Sequence, residues 1–208
     1  MDNAFAAVLA DYDARMAAER NSSPGRGHTA DDLLLAIGPE TATMLNLLAK
    51  SSRAQRILEL GTSYGYSTLW FADAARHTGG KVITLELQAH KQDYARAALT
   101  KAGLADMVEF HAGDALETLK RLEGPFDFVL VDLWKDLYIP CLELFYPKLT
   151  PGAFIAADNM LAPAGNRTNA AHYRATVRAK PDMTSVLLPV GHGIELSRFV
   201  GGLPPELA

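Results

Sequence analysis

The chain has 208 residues, 49% of them apolar and 21% charged, with a net charge of −4. That size and balance suit one ordinary globular domain with a full core, and they argue against a disordered, collagenous or disulfide-stapled protein. No run of Lys or Arg could follow a phosphate backbone and no apolar stretch is long enough to span a bilayer, so neither nucleic acid nor a membrane is an expected partner.

The first segment, residues 3–20, carries Phe5, Val8, Leu9, Tyr12 and Met16 at helical spacing. Its apolar stretch lacks a basic flank and runs straight into Asp11 and Asp13, so it reads as an amphipathic helix and not as a signal peptide. The Gly-, Pro- and Ser-rich NSSPGRGH at 21–28 follows as a flexible joint, which divides the chain into a helix with its joint over 1–28 and a domain over 29–208. Thr29, with Asp32 three positions on, opens a second helical stretch that stops at Gly38; Pro39 starts a third that reaches about Lys50. From residue 55 the pattern changes to short strand-like runs alternating with helical ones: RILEL, KVITLEL, MVEFH, FDFVLVDL and AFIAAD. Strands separated by helices in this way predict a parallel sheet covered on both faces. After a helix near 168–179, SVLLPV and IELSRFV are separated only by GHG and predict a hairpin with a tight turn. The expected fold is therefore α/β and Rossmann-like, a seven-stranded, mostly parallel sheet ending in an antiparallel hairpin. The single cysteine, Cys141, fits a reducing compartment, with the cytoplasm as the default.

In such a sheet, ligands bind outside the carboxyl ends of the strands. The first strand ends in Glu59-Leu60-Gly61-Thr62-Ser63-Tyr64-Gly65-Tyr66-Ser67, where Gly61 and Gly65 let the backbone approach a ligand or simply form the turn. The second ends in Glu86, a carboxylate able to accept both hydroxyls of a ribose. A dinucleotide site would want a third glycine where Tyr66 or Ser67 stands, together with a pyrophosphate at the helix start, so the turn suits adenosylmethionine better. Asp114 can cap the helix after the third strand or reach an adenine. The fourth and fifth strands end in Asp132 and in Asp158-Asn159. If these strands are neighbours, two carboxylates and an amide oxygen converge, a hard-oxygen set suited to Mg²⁺ with positions left open; the plainer reading is that they cap the next helices. Lys135 follows three positions after the first of these acids. Beside a divalent cation an ammonium is destabilised, which makes such a lysine a candidate base.

Together ILELGTSYGYST, ITLE, FVLVDLWKDLY, AADN and HGIELSRFVGG resemble the catechol and caffeoyl-coenzyme A O-methyltransferase family, with D-x-W-K-D-x-Y the most specific part. The resemblance implies Asp132, Asp158 and Asn159 on Mg²⁺, Lys135 as general base, and Glu195 orienting the hydroxyl that is not methylated. It further implies Glu59, Gly61, Thr62 and Ser67 around the methionine part of S-adenosylmethionine, Glu86 on the ribose, Ala115 and Trp134 beside the adenine, and Ile37-Gly38 touching the cofactor. Leu133 and Ser63 depart from the family's histidine and tyrosine, and the loop from Met160 to Asn169 has no clear counterpart. The expected activity is Mg²⁺-dependent methylation of one hydroxyl of a catechol-like diol, a small-molecule substrate. The alternatives are a nicotinamide-dependent oxidoreductase on a similar sheet and a non-catalytic adenosylmethionine-binding protein. The N-terminal helix either joins two copies into a homodimer or covers the site of its own chain.

Overall fold

A computed structural model describes residues 2–21 and 32–202. In chain order the elements are α1 (Asn3–Asn21), α2 (Pro39–Ser51), β1 (Arg56–Leu60), α3 (Tyr66–Thr78), β2 (Lys81–Glu86), α4 (Ala89–Lys101), β3 (Val108–Ala112), α5 (Ala115–Arg121), β4 (Phe126–Val131), α6 (Tyr138–Phe145), β5 (Leu149–Ala157), α7 (Arg167–Arg178), β6 (Met183–Leu188) and β7 (Ile194–Phe199). They build a seven-stranded sheet of order β3-β2-β1-β4-β5-β7-β6. β1 to β5 run parallel, and β7 is antiparallel to both β5 and β6, as expected of an α/β sheet with an appended hairpin.

The central strands are apolar throughout because both of their faces are covered, yet their side chains still alternate. Ile57, Val82, Phe128 and Leu130 pack with residues of α1 to α4. Leu58, Leu60, Val129 and Val131 join Leu119, Leu142 and Tyr173 beneath α5 to α7. From β1 the chain builds outward to β2 and β3, then returns to place β4 on the other side, so the strand order reverses between β1 and β4. A cleft opens at such a reversal. Gly61 lies at this point with φ +104, and a Cβ added there would stand 2.0 Å from the Asp132 carbonyl oxygen, so only glycine lets the two strand ends meet.

Three expectations need correction. The helical stretch predicted from Thr29 to Gly38 is not formed over 33–38, where the chain is irregular; Thr29 itself, like joint residues 22–28, lies outside the described residues. The cause is that the Leu34 amide donates to the Glu19 carboxylate while its carbonyl accepts from Ser63 Oγ, so neither group is available to a helix. Leu35 completes the turn at φ +48. The C-terminal connection is longer than a tight turn: β6 stops at Leu188, before Pro189, and residues 189–193 link it to β7. Finally, β5 begins at Leu149, several residues before the predicted AFIAAD run.

The N-terminal helix α1 packs on its own chain. Phe5, Val8 and Tyr12 are buried, and the Tyr12 hydroxyl donates to the Tyr64 carbonyl at 2.7 Å, so α1 lies directly on the turn after β1. Among the described residues, no helix is long and apolar enough to cross a membrane.

Candidate active site

A cavity of about 400 Å³ opens along the carboxyl ends of β1, β2, β4 and β5. One wall is the turn after β1, where Gly61, Thr62, Ser63, Tyr66 and Ser67 line the space. Thr62 is fixed by its hydroxyl, 2.6 Å from that of Thr84, and by its amide, which donates to the Leu85 carbonyl. At the end of β2, Glu86 accepts from the backbone amides of Ser63 at 2.9 Å and Gln88 at 3.0 Å, so its carboxylate is held at the cavity wall by the chain itself. Asp114 and Ala115 line the adjoining end; Asp114 also caps α5 by accepting from the Glu117 amide at 2.9 Å. Trp134, 61% exposed, stands at the rim.

The other end of the cavity is acidic. β4 and β5 pair in parallel with Val131 opposite Ala157, which sets Asp132 and Asp158 side by side one residue further on. Burial pushes both carboxyls above the usual carboxylate range, and for Asp158 the neighbouring Asp132 charge adds to this. Asp158 Oδ1 is buried and has no hydrogen-bond partner. Asn159 follows at φ +58, a conformation asparagine tolerates better than most residues, and its Nδ2 lies 3.4 Å from Asp158 Oδ2. Two crowded carboxylates, one bearing an orphaned oxygen, and an adjacent amide form a donor set short of a positive charge. Hard oxygen ligands of this kind fit a small divalent cation. No cluster of three His, Cys, Asp or Glu side chains occurs among the described residues, so this site depends on the amide as its third protein donor.

Lys135 Nζ reaches the same place. It lies 3.5 Å from Asp132 Oδ1, donates to the Leu133 carbonyl at 3.0 Å, and donates to the Tyr138 hydroxyl at 2.5 Å. Tyr138 in turn donates to the Asp158 carbonyl at 3.2 Å, which ties the lysine to both acidic strand ends. The ammonium-bearing side chain is therefore anchored on three sides while still lining the cavity.

The structure thus brings Gly61, Thr62, Ser67, Glu86, Ala115, Asp132, Trp134, Lys135, Asp158 and Asn159 to one cavity, and it leaves Ile37, Gly38, Glu59, Gly65 and Glu195 out of the lining. Glu195 is the clearest case. On β7 it pairs with Ala157 of β5, is fully buried, and holds Arg178 through contacts of 2.6 and 3.0 Å, so in this structure its carboxylate is engaged by α7. Ile37 turns into the core, and its neighbours Leu34, Leu35 and Ala36 line the cavity instead. Gly65 serves packing: a Cβ there would lie 2.5 Å from Ala95 Cβ. Glu59 sits behind the wall, fully buried on the same face of β1 as Ile57. Its Oε2 accepts from the hydroxyls of Thr68 and Thr84, each at 2.5 Å, its Oε1 has no partner, and burial pushes its carboxyl up to about 7.

Sequence reasoning missed Tyr138, His192 and Lys91, which lines the cavity from the first turn of α4. Tyr138 was legible as the last residue of D-x-W-K-D-x-Y, but not its contact with the lysine. His192 sits in the GHG turn and reaches the cavity because the connection before β7 is long. Its carbonyl accepts from the amides of Leu161 and Ala162, which pins the loop after Asn159 to the hairpin, and Pro163 of that loop also lines the cavity.

Comparison with known proteins gives a consistent picture. A family model described as O-methyltransferase matches residues 27–200. The chain is 39% identical over 132 residues to a catechol O-methyltransferase of Mycobacterium tuberculosis, covering 63% of this chain and 60% of that protein, which is less than two thirds of the relative's length. It is 31% identical over 187 residues to caffeoyl-CoA O-methyltransferase 1 of Eucalyptus globulus, covering 80% and 76% of the two chains. The crystal structure of the O-methyltransferase from Bacillus cereus in complex with SAH superposes with a TM-score of 0.74 at 27% identity, covering 96% of this chain and 91% of that one.

Proposed function

The chain belongs to the O-methyltransferase family, and from that premise we propose that it transfers a methyl group from S-adenosylmethionine to one hydroxyl of a catechol-like diol, using a divalent cation. Glu86 would hold the cofactor's ribose and Ala115 and Trp134 its adenine, which would leave the acidic end of the cavity to the diol. The observation that carries this reading is the meeting of Lys135 Nζ with Asp132, beside the orphaned Asp158 oxygen, in the same cavity as Glu86.

Asp132, Asp158 and Asn159 would hold Mg²⁺ or a similar ion, which supplies Lewis-acid polarisation of a phenol whose free pKa is about 10. Lys135, once its ammonium has released a proton to solvent, accepts the phenolic proton at Nζ, and Tyr138 and the Leu133 carbonyl hold that nitrogen in place. The phenolate oxygen forms the new O–C bond as the C–S bond of the sulfonium breaks, and the sulfur keeps the electron pair. No covalent intermediate with the protein is needed, so orientation and electrostatics carry the rate, with ~7 kcal/mol or more available from positioning. Pro163 and His192, which line the cavity beside Asn159, stand at the diol's end and select its substituents.

The test is methyl transfer to a panel of catechols, hydroxycinnamoyl esters and flavonoids, with and without a chelator. Transfer to a vicinal diol that stops on chelation and returns with added Mg²⁺ is expected, together with a Lys135→Ala variant whose turnover falls at least ~100-fold. Full activity in metal-free buffer, or wild-type turnover in Lys135→Ala, contradicts the proposal.

A further inference from the structure

The methyl-donor end of the cavity is walled on one side by residues 34–36, and among the described residues no backbone–backbone hydrogen bond holds that segment there. Its anchors come from elsewhere. The Leu34 amide donates to both carboxylate oxygens of Glu19 on α1, each at 3.1 Å. Arg15, one helical turn earlier, donates from Nε to Glu19 at 3.0 Å and from Nη2 to the Asp32 carbonyl at 3.1 Å. The same guanidinium lies 3.9 Å over the Tyr64 ring, stacked on the turn after β1. On its inner side the Leu34 carbonyl accepts from Ser63 Oγ at 2.9 Å, and the Ser63 amide donates to Glu86. An unbroken series of contacts therefore runs from Glu19 on α1, through Leu34 and Ser63, to the carboxylate placed on the ribose.

We infer that α1 is a clamp on the methyl-donor pocket, with Arg15 and Glu19 as positioning residues that hold the 34–36 wall against the turn after β1. This rests on the assignment of that end of the cavity to the methyl donor. The physical reason is that Leu35 at φ +48 and Ser63 at φ +45 both occupy the left-handed region, which costs roughly 1 kcal/mol or more for each such residue, so the wall stays in place only while its outside contacts last. Because α1 and the donor then stabilise the same arrangement of the wall, each strengthens the other's binding by an equal factor.

The probe is S-adenosylhomocysteine, titrated calorimetrically into the full-length wild type and variants, each confirmed folded by its melting curve. Glu19→Ala should weaken binding roughly tenfold, or ~1.4 kcal/mol. Glu19→Gln, which keeps one acceptor for the Leu34 amide, should stay within about threefold of wild type. Lys101→Ala removes a different α1 contact, the 2.5 Å exposed pair with Asp11, and should leave affinity unchanged. Reciprocally, S-adenosylhomocysteine should slow amide exchange in α1 of the wild type but not of Glu19→Ala. Unchanged affinity in folded Glu19→Ala while the wild type binds overturns the clamp alone, as does an equal loss in Lys101→Ala. Failure of the wild type to bind overturns the clamp together with the methyl-donor assignment beneath it.

Discussion

Replacing Glu59 by Gln should stabilise the protein, and should do so increasingly as pH rises. In the folded chain this carboxyl is fully buried, is pushed from 4.5 up to about 7, and leaves one oxygen without a partner. A raised carboxyl pKa means that folding favours the neutral form. The folded state therefore binds more protons than the unfolded state between about 4.5 and 7, and stability from this group falls as pH rises through that window. Below 4.5 the penalty is absent; above 7 it is complete, at about 3 kcal/mol from a 2.5-unit shift at 1.36 kcal/mol per unit. Glutamine occupies the same volume, its carbonyl can accept from Thr68 and Thr84, and it carries no charge to bury. Urea unfolding of both proteins without ligand at pH 5 and pH 8 measures the effect. The advantage of Glu59→Gln over wild type should widen by about 2 kcal/mol between the two pH values. An advantage that does not change with pH would show that Glu59 is not a strained buried acid.

Further outcomes follow from the same contacts. Arg178→Met leaves the Glu195 carboxylate buried without its half-exposed cation and should cost about 1 kcal/mol or somewhat more in urea unfolding; if Glu195 serves α7 as described, kcat/KM of the folded variant stays at the wild-type value. Tyr138→Phe removes the acceptor at 2.5 Å from Lys135 Nζ, and kcat should drop roughly tenfold, the effect of about 1.5 kcal/mol for one hydrogen bond to a charged group, while S-adenosylhomocysteine affinity is unchanged; a loss of affinity with normal kcat would contradict the role given to Tyr138. Gly61→Ala drives a methyl into the Asp132 carbonyl and should destabilise by roughly 3 kcal/mol or more, read as a lowered melting temperature.

The sheet was legible because its strands carry the period and length of doubly covered β-structure, and the site was legible wherever function sits at a strand end. Glu86 is the last residue of β2, Asp132 and Asp158 each follow directly on the last residue of β4 and β5, and parallel pairing does the rest. What was not legible depends on side-chain contacts between distant segments. Residues 33–38 have the composition of a helix, but Glu19 and Ser63 take up the Leu34 backbone groups, and no local pattern announces that. Glu195 lies outside the cavity lining for a related reason. Its distance from the motif before it is right, but strand alternation turns it toward α7, and the length of the preceding connection, which brings His192 to the cavity instead, is set by Pro189 and by the pairing of β7 with β5. Gly65 shows that a glycine in such a turn can be required by backbone conformation, here φ +90, and by a neighbouring helix, with no contact to the cavity.

The central claim is that Asp132, Asp158 and Asn159 share one divalent cation next to Lys135. Titration of Mn²⁺ into the protein with S-adenosylhomocysteine present, followed by electron paramagnetic resonance, tests it directly. One ion should bind to the wild type and none to Asp158→Ala at the same concentration; no bound ion in the wild type, or an undiminished one in the variant, would contradict the claim.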